Sequence, residues 1–530
     1  MDLEPLDALG VRVASPVGPL SAPMLGLNSS EVFERYRGWL RMVQTAGDSR
    51  SGSTLQAGAT LFRAAVRSRW FIPIATFAFV FYFYWLITDG TLAPDYRSMR
   101  WYISPQFFWL QADAILHGRL NIDPNLFGGL SNSANGFRGE CWYSGGECFG
   151  YFGVFPSVIR LPFVILLGND NNGYTPVFLT AGIGVSYWFS MDLVRKVLAE
   201  RQPFKGTSSE AREAVWLVFA AILLGPASVL LFLAQPFFYQ ESIGWMVAGL
   251  CLFTNLMWRW SRERKNSQLA FAILGLVAAT GCRPTALPVG FIVGFGVLLF
   301  FFWNGQLTRA ILTKIAVLMF LPIATAAAIN LNKFGTVMPD YTYSANYDTM
   351  LSKYSKLNEG KLNGTRFLLT NLFTYLRPDS LTIDASDPWF RFRFTDGSSI
   401  TYLPPLVTGS MLMESTVSLT STMPVAVLLA PFTFLALATR RVFRSLSNCM
   451  ELVLFGALCG PPLVMCLVIG GASRYLCDFY PLMALVVALS PALFARFASV
   501  DRIFWRAVTV VAFAMTLLSA VVLRQLLGQV

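Results

Sequence analysis

Carboxylates collect in one polar stretch of an otherwise apolar chain. Residues 89–151 hold Asp89, Asp95, Asp113, Asp123, Glu140 and Glu147, together with the only histidine, His117. Asp113 lies in Ala112-Asp113-Ala114-Ile115-Leu116-His117-Gly118-Arg119-Leu120, just after Phe107-Phe108-Trp109-Leu110-Gln111. This amphipathic run should lie along a membrane interface, where a held carboxylate can serve as general base toward a hydroxyl acceptor. Most of the six acids are equally well read as solvated loop residues. A further acid, Glu241, follows Phe237-Phe238-Tyr239-Gln240 at the start of an apolar segment. The helix dipole alone would favour an acid there. An acid beside Tyr239 and Gln240 at membrane depth is also the kind of residue that carries function.

Two arginines offer the complementary charge. Arg283, in Gly281-Cys282-Arg283-Pro284-Thr285, separates two apolar segments, and its planar fork suits the oxygens of a lipid phosphate. Snorkelling toward headgroups is the alternative reading. Arg474 and Asp478, in Ser473-Arg474-Tyr475-Leu476-Cys477-Asp478-Phe479, are four apart and would share a face of an α-helix, so a structural pair is expected. With Arg283 they could equally complete an anion site. His117 more plausibly orients its loop than reacts, since one histidine can form neither a dyad nor a multi-histidine metal site. No Cys/His metal motif is present. A divalent cation such as magnesium or manganese would have to be held by carboxylates, for example Asp113 or Asp95 with Glu241, and the metal requirement stays open. Dinucleotide, phosphate-loop and serine-hydrolase motifs are absent. Cys141 and Cys148 lie close together across Gly145-Gly146, and a disulfide between them is expected in an oxidising compartment.

The elements that must position these groups are membrane helices. The chain has 530 residues, 55% hydrophobic and only 13% charged, and its mean hydropathy is +0.52. That composition belongs to an all-α, polytopic transmembrane bundle. Apolar runs long enough for a hydrocarbon core of roughly 30 Å predict spans near 70–88, 174–193, 214–234, 241–258, 268–282, 286–303, 309–330, 418–438, 449–470, 476–495 and 505–524. The total is about 11–12 spans, with a long first extracytoplasmic loop carrying interfacial helices. The formal charge of +11 sits beside spans, at Arg63, Arg67 and Arg69, Arg195–Lys205, Arg259–Lys265, and Arg440–Arg444. That is a positive-inside pattern, not a nucleic-acid stripe on a soluble face.

Residues 1–69 read as a cytoplasmic extension, with disorder expected around Gly47–Gly58 and one helix over 30–43. Residues 70–330 form the main transmembrane module, including outer loop 89–151. Residues 331–417 make a second outer region, and 418–530 the C-terminal helices. The segment 152–168 is the exception: a full crossing would invert the sidedness of everything downstream. We expect it to be half-inserted or interfacial, the alternative being that loop 195–213 departs from the charge rule.

Taken in order, Ala112–Leu120, Tyr151–Pro156 with Arg160-Leu161-Pro162, Phe238–Glu241, Cys282–Pro284, Lys333-Phe334-Gly335 and Arg474-Tyr475 with Asp478-Phe479 resemble the GT-C superfamily of integral-membrane glycosyltransferases, especially bacterial family 39 and mannosyltransferase-like members. The resemblance spans about residues 89–490, with each motif short. It implies transfer of a sugar from a polyprenyl-phosphate donor to a glycan, lipid or protein acceptor, on the outer face of a bacterial inner membrane. Carried over, Asp113, Glu241 and Asp95 would be the catalytic acids and Arg283 and Arg474 the donor-phosphate ligands. His117, Tyr239, Tyr475 and Asp478 would support them. The chain lacks a paired acid directly after its first span, which leaves the base and any metal unassigned. A transporter or flippase of lipid-linked sugars is the alternative function.

Overall fold

A computed structural model describes residues 51–88, 90–92, 107–123, 136–138, 141–144, 147–150, 152–168, 174–203, 209–234, 238–337, 364–377, 381–383, 390–392, 418–439, 442–468, 473–494 and 514. Asp89, Asp95, Glu140, the expected helix over 30–43 and nearly all of the expected span 505–524 lie outside them. The chain divides into two units, 1–64 and 65–530. In the first, the described residues belong to α1 (Ser51–Arg67), which is helical through Gly52 and Gly58 where disorder was expected. Its leucines, alanines and Gln56 are good helix formers, and they outweigh about 1 kcal/mol lost at each glycine.

The second unit is an all-α membrane fold. Its helices are α2 (Phe71–Ile87), α3 (Phe107–Leu116), α4 (Phe155–Leu167), α5 (Thr175–Arg201), α6 (Ser209–Leu224), α7 (Phe238–Glu263), α8 (Asn266–Cys282), α9 (Leu287–Trp303) and α10 (Arg309–Phe334). They continue with α11 (Leu368–Leu376), α12 (Leu419–Thr422), α13 (Pro424–Ala438), α14 (Leu446–Leu458), α15 (Gly460–Cys466) and α16 (Tyr480–Phe494). Every span expected between 70 and 495 coincides with a helix or helix pair. Among the described residues, 5 helices are long and apolar enough to cross a membrane on length and composition, or up to 6 if a bent pair counts as one span. Starts follow from local chemistry: Thr308 and Ser445 accept hydrogen bonds from the Ile311 and Asn448 amides, capping α10 and α14. Pro176 and Pro288 sit in first turns, where no amide is missed.

The core lies where α7 packs between α5 and α8. At Gly249 of α7 an added Cβ would stand 2.4 Å from the Gly275 carbonyl oxygen of α8, so only glycine lets these backbones touch. Two small sheets accompany the helices. β1 (Gly136–Arg138), β2 (Cys141–Ser144) and β3 (Glu147–Gly150) form an antiparallel meander in which Tyr143 is opposite Cys148. β4 (Leu381–Ile383) and β5 (Phe390–Phe392) form a two-stranded ribbon.

The basic loops gather at one end of the bundle. Arg201 of α5 and Arg262 of α7 each place Nη2 2.6 Å from Oε1 of Glu451, a buried residue of α14. Lys314 of α10 donates to Asn266 of α8 at 2.8 Å, and Asn304 donates to the Phe443 carbonyl. The other end carries the start of α7, the end of α8 and the Ser473–Phe479 turn.

The geometry of segment 152–168 fits the half-inserted or interfacial placement that was expected. Gly153, just before α4, donates to the Cys282 carbonyl at the end of α8, and Thr175, which opens α5, lies 3.5 Å from Arg160 of α4. Both flanks of α4 are therefore at the same end. With 13 residues, about 20 Å, it is too short to span a core of roughly 30 Å. Ile165 and Leu166 are exposed.

Candidate active site

The turn that joins β3 to α4 is the foundation of the site. Lys333, at the end of α10, is buried and its Nζ donates to the carbonyls of Gly150 at 2.8 Å and Phe152 at 2.6 Å. A Cβ on Gly153 would fall 1.7 Å from the Gly281 oxygen, so this position must be glycine for the turn to meet α8. Ser242 of α7 donates to the same Cys282 carbonyl that accepts from Gly153. Three motifs far apart in sequence, at 150–156, 282–284 and 333–335, are thus bound into one platform. Lys333→Met should leave two buried carbonyls without a donor and cost about 1–3 kcal/mol, read as a lower unfolding midpoint in detergent.

Behind the platform lies a buried ion pair. Arg160 of α4 and Glu241 of α7 both have side chains with 0% exposure. Arg160 Nη2 donates to Glu241 Oε2 at 2.6 Å, and Nη1 donates to Oε1 and to the Pro156 carbonyl. The guanidinium lies 4.1 Å over Phe178 and 5.6 Å from the ring centre of Phe108. Glu241 was expected to do chemistry. Both its oxygens accept from Arg160, an ion pair that ties α4 to α7.

The arginines divide their work. Arg283 is buried, with Nη1 3.1 Å from Asp478 Oδ1 and Nη2 3.0 Å from Met465 Sδ. Asp478 therefore pairs with Arg283 and not, as expected, with Arg474. The reason is local: Ser473–Phe479 is a 3₁₀ helix, and at three residues per turn positions i and i+4 no longer share a face. Arg474 turns the other way. Its guanidinium is 4.9 Å from the centre of the Tyr239 ring and 5.4 Å from that of Tyr475, while Arg283 flanks Tyr475 at 5.3 Å. Arg474, Tyr239 and Tyr475 are all half-buried. Of the two expected phosphate ligands, Arg474 is half-buried, whereas Arg283 is buried against Asp478, Met465 and Tyr475.

Asp113 is on α3, whose Phe107 and Phe108 cluster with Phe152 and pack against Tyr239. Gln111 accepts from Ser157 of α4 at 2.6 Å and locks α3 to the platform. The Asp113 side chain is 31% exposed, on the open face of this helix. His117 is exposed; its Nδ1 donates to the Asp113 carbonyl at 2.8 Å and lies 3.8 Å from the carboxylate. It finishes α3. Asp95 lies outside the described residues. Cys148 is disulfide-bonded, and the side chain of Cys141 lies outside the described residues.

Among the described residues no three of His, Cys, Asp or Glu form a group that could hold a metal ion. Glu241, proposed to share one with Asp113 or Asp95, is fully engaged by Arg160. Asp95, the other acid expected to hold a cation, lies outside the described residues.

Sequence reasoning gave no role to Arg160 or Lys333. Arg160 is a single cation within an apolar run and Lys333 sits in the last turn of α10, and a charge that no water can reach needs a fixed partner. That signal was present for both.

No known protein family matches the chain, and neither does any curated protein. Solved structures of the oligosaccharyltransferase AglB of Archaeoglobus fulgidus show a distant likeness. The apo form matches with a TM-score of 0.43 at 14% identity, over 85% of this chain and 56% of that one. A form tethered to an acceptor peptide containing the NVT sequon matches with a TM-score of 0.44 at 14% identity, over 87% and 56%. The complex with an inhibitory peptide and a dolichol-phosphate matches with a TM-score of 0.40 at 14% identity, over 86% and 55%. The chain spans about half the length of the solved structures to which it is similar.

Proposed function

We propose that this integral membrane protein is a GT-C-like glycosyltransferase. It moves a sugar from a polyprenyl-phosphate donor to a glycan, lipid or protein acceptor on the extracytoplasmic side. The observation that carries this reading is Arg474. A half-buried guanidinium rests on Tyr239 and Tyr475, beside the platform where the motifs of the resemblance meet. A cation over aromatic rings at the end of a bundle suits a lipid phosphate carrying a sugar, with charge for the phosphate and apolar ring faces for the pyranose. That end lies opposite the basic loops, which the positive-inside bias assigns to the cytoplasm.

The reaction is a single displacement. The acceptor oxygen attacks the anomeric carbon as its proton passes to a carboxylate. The bond from that carbon to the phosphate oxygen breaks, and polyprenyl phosphate leaves with the electron pair and inverts the configuration. Arg474 meets the charge that grows on the departing phosphate. Asp113 is the described acid best exposed to take the proton, and Asp95 is the other candidate. Arg160–Glu241 and Arg283–Asp478 hold the elements that present these groups.

The test is transfer from a panel of radiolabelled polyprenyl-phosphate monosaccharides in membranes containing wild type or Asp113→Asn. Donor-dependent labelling should fall by about 10²–10⁴-fold in the variant, the range for losing a general base. Labelling that survives Asp113→Asn moves the base to another acid. No transfer from any donor defeats the proposal.

A further inference from the structure

At the end of the bundle that carries the basic loops, away from Arg474, helices α7 to α10 enclose a cavity of about 200 Å³. Val297, Phe301, Ile315 and Leu318 form apolar walls, and Arg264 and Lys314 line it with charge. Four other cations at this end are held by carboxylates. Arg201 and Arg262 are bound by Glu451, Arg67 by Glu210, and Lys265 by Glu263. Among the described residues, neither Arg264 nor Lys314 is in an ion pair. Arg264 leaves the end of α7 with φ 56°, a left-handed backbone that an arginine seldom adopts. Its guanidinium is placed 5.4 Å from the centre of the Phe301 ring and 5.7 Å from that of Trp260. Lys314 uses one N–H on Asn266, which leaves two. Asn266 is also the first residue of α8, a helix without a side-chain cap, so the positive end of α8 faces the same place.

The cavity is smaller than the roughly 300–1,000 Å³ of sites that enclose a whole small molecule. It suits part of a ligand whose remainder lies elsewhere. The surroundings say where. Leu312 and Val317, on the same helix as Ile315 and Leu318, are exposed apolar residues, as are Phe302 and Trp303 at the end of α9. Trp303 is 75% exposed and stacks on Phe443, as a tryptophan does at a membrane interface. The cavity thus stands at the headgroup level of the leaflet on the basic side, with hydrocarbon next to it.

We infer that this cavity binds an anionic phospholipid of that leaflet, the phosphate held by Arg264, Lys314 and the start of α8, and the upper acyl chain lying against Phe301, Ile315 and Leu318. Two cations over an apolar slot match a lipid that brings one negative charge and a hydrocarbon tail. The site is separate from the proposed transfer site by the length of α8, and it does not depend on that proposal.

The experiment is native mass spectrometry of the delipidated full-length protein in a neutral detergent, titrated with phosphatidylglycerol or phosphatidylcholine. Wild type should retain phosphatidylglycerol at least about tenfold better, since each nearby basic residue is worth about 1 kcal/mol toward an anionic lipid. Arg264→Gln with Lys314→Gln should abolish that preference while the lipid-free unfolding midpoint stays near that of wild type. Leu318→Trp, which fills the slot and leaves the charges, should weaken retention. Equal retention of the two lipids by wild type overturns the inference, whether or not the variants fold. So does an unchanged preference in a folded double variant. Displacement of the lipid by inorganic phosphate at matched concentration would mark a free-anion site and overturn it as well.

Discussion

Glu241→Leu should destabilise the protein by about 3–5 kcal/mol, and Arg160→Leu by a similar amount, because each strands a buried charge without its partner. Arg160→Met combined with Glu241→Leu should recover most of that loss. The double variant removes both desolvated ions and leaves apolar groups among Phe108 and Phe178. Unfolding in mixed micelles with a denaturing detergent reads all three. The single variants should have depressed midpoints, with the double well above either. The pair is wholly enclosed, so salt should change these results little. A Glu241→Leu protein that is as stable as wild type would mean that Glu241 is not holding Arg160, and would return it to the list of candidate acids.

The second large effect is expected at Arg474. Arg474→Gln should lower donor-dependent transfer by about 10²–10³-fold, the usual loss when one preorganised donor to a developing charge is removed. The fold should survive, since Arg474 is half-buried and lies against the Tyr239 and Tyr475 rings at the end of the bundle. Arg474→Lys should restore part of the activity: it keeps the charge but neither the fork nor the flat face that lies on Tyr239 and Tyr475. Arg283→Leu should behave differently, losing stability together with activity, because Asp478 is 1% exposed and would be left with its charge unmatched. Measuring transfer and unfolding on the same preparations separates the two arginines. An Arg474→Gln protein with wild-type transfer would remove the cation from the mechanism.

Hydropathy made the helices legible, because a membrane core demands long apolar runs wherever the chain crosses. The local amphipathy of residues 107–120 likewise marked α3 and left Asp113 on its open face. What the sequence hid were partner choices. Arg160 finds Glu241 81 residues away, and no spacing rule reaches that far. Asp478 was assigned to Arg474 on α-helical geometry, and a short 3₁₀ turn gave it to Arg283 instead. The strands at 136–150 were too short to show a period of two above the surrounding loop. Helix formers overrode Gly52 and Gly58. The topology of 152–168 could be posed from charge counting, yet its resolution required seeing Gly153 and Thr175 at the same end of the bundle.

The central claim is that the protein breaks the bond between a sugar and a polyprenyl phosphate. It is tested most directly by placing purified protein in liposomes with a labelled polyprenyl-phosphate sugar and a candidate acceptor, and following the lipid product. The account predicts that free polyprenyl phosphate accumulates only with wild type and acceptor together, in step with a glycosylated product of inverted anomeric configuration. Passage of the intact donor from one leaflet to the other, with no polyprenyl phosphate released, would contradict it and assign the protein to lipid transport.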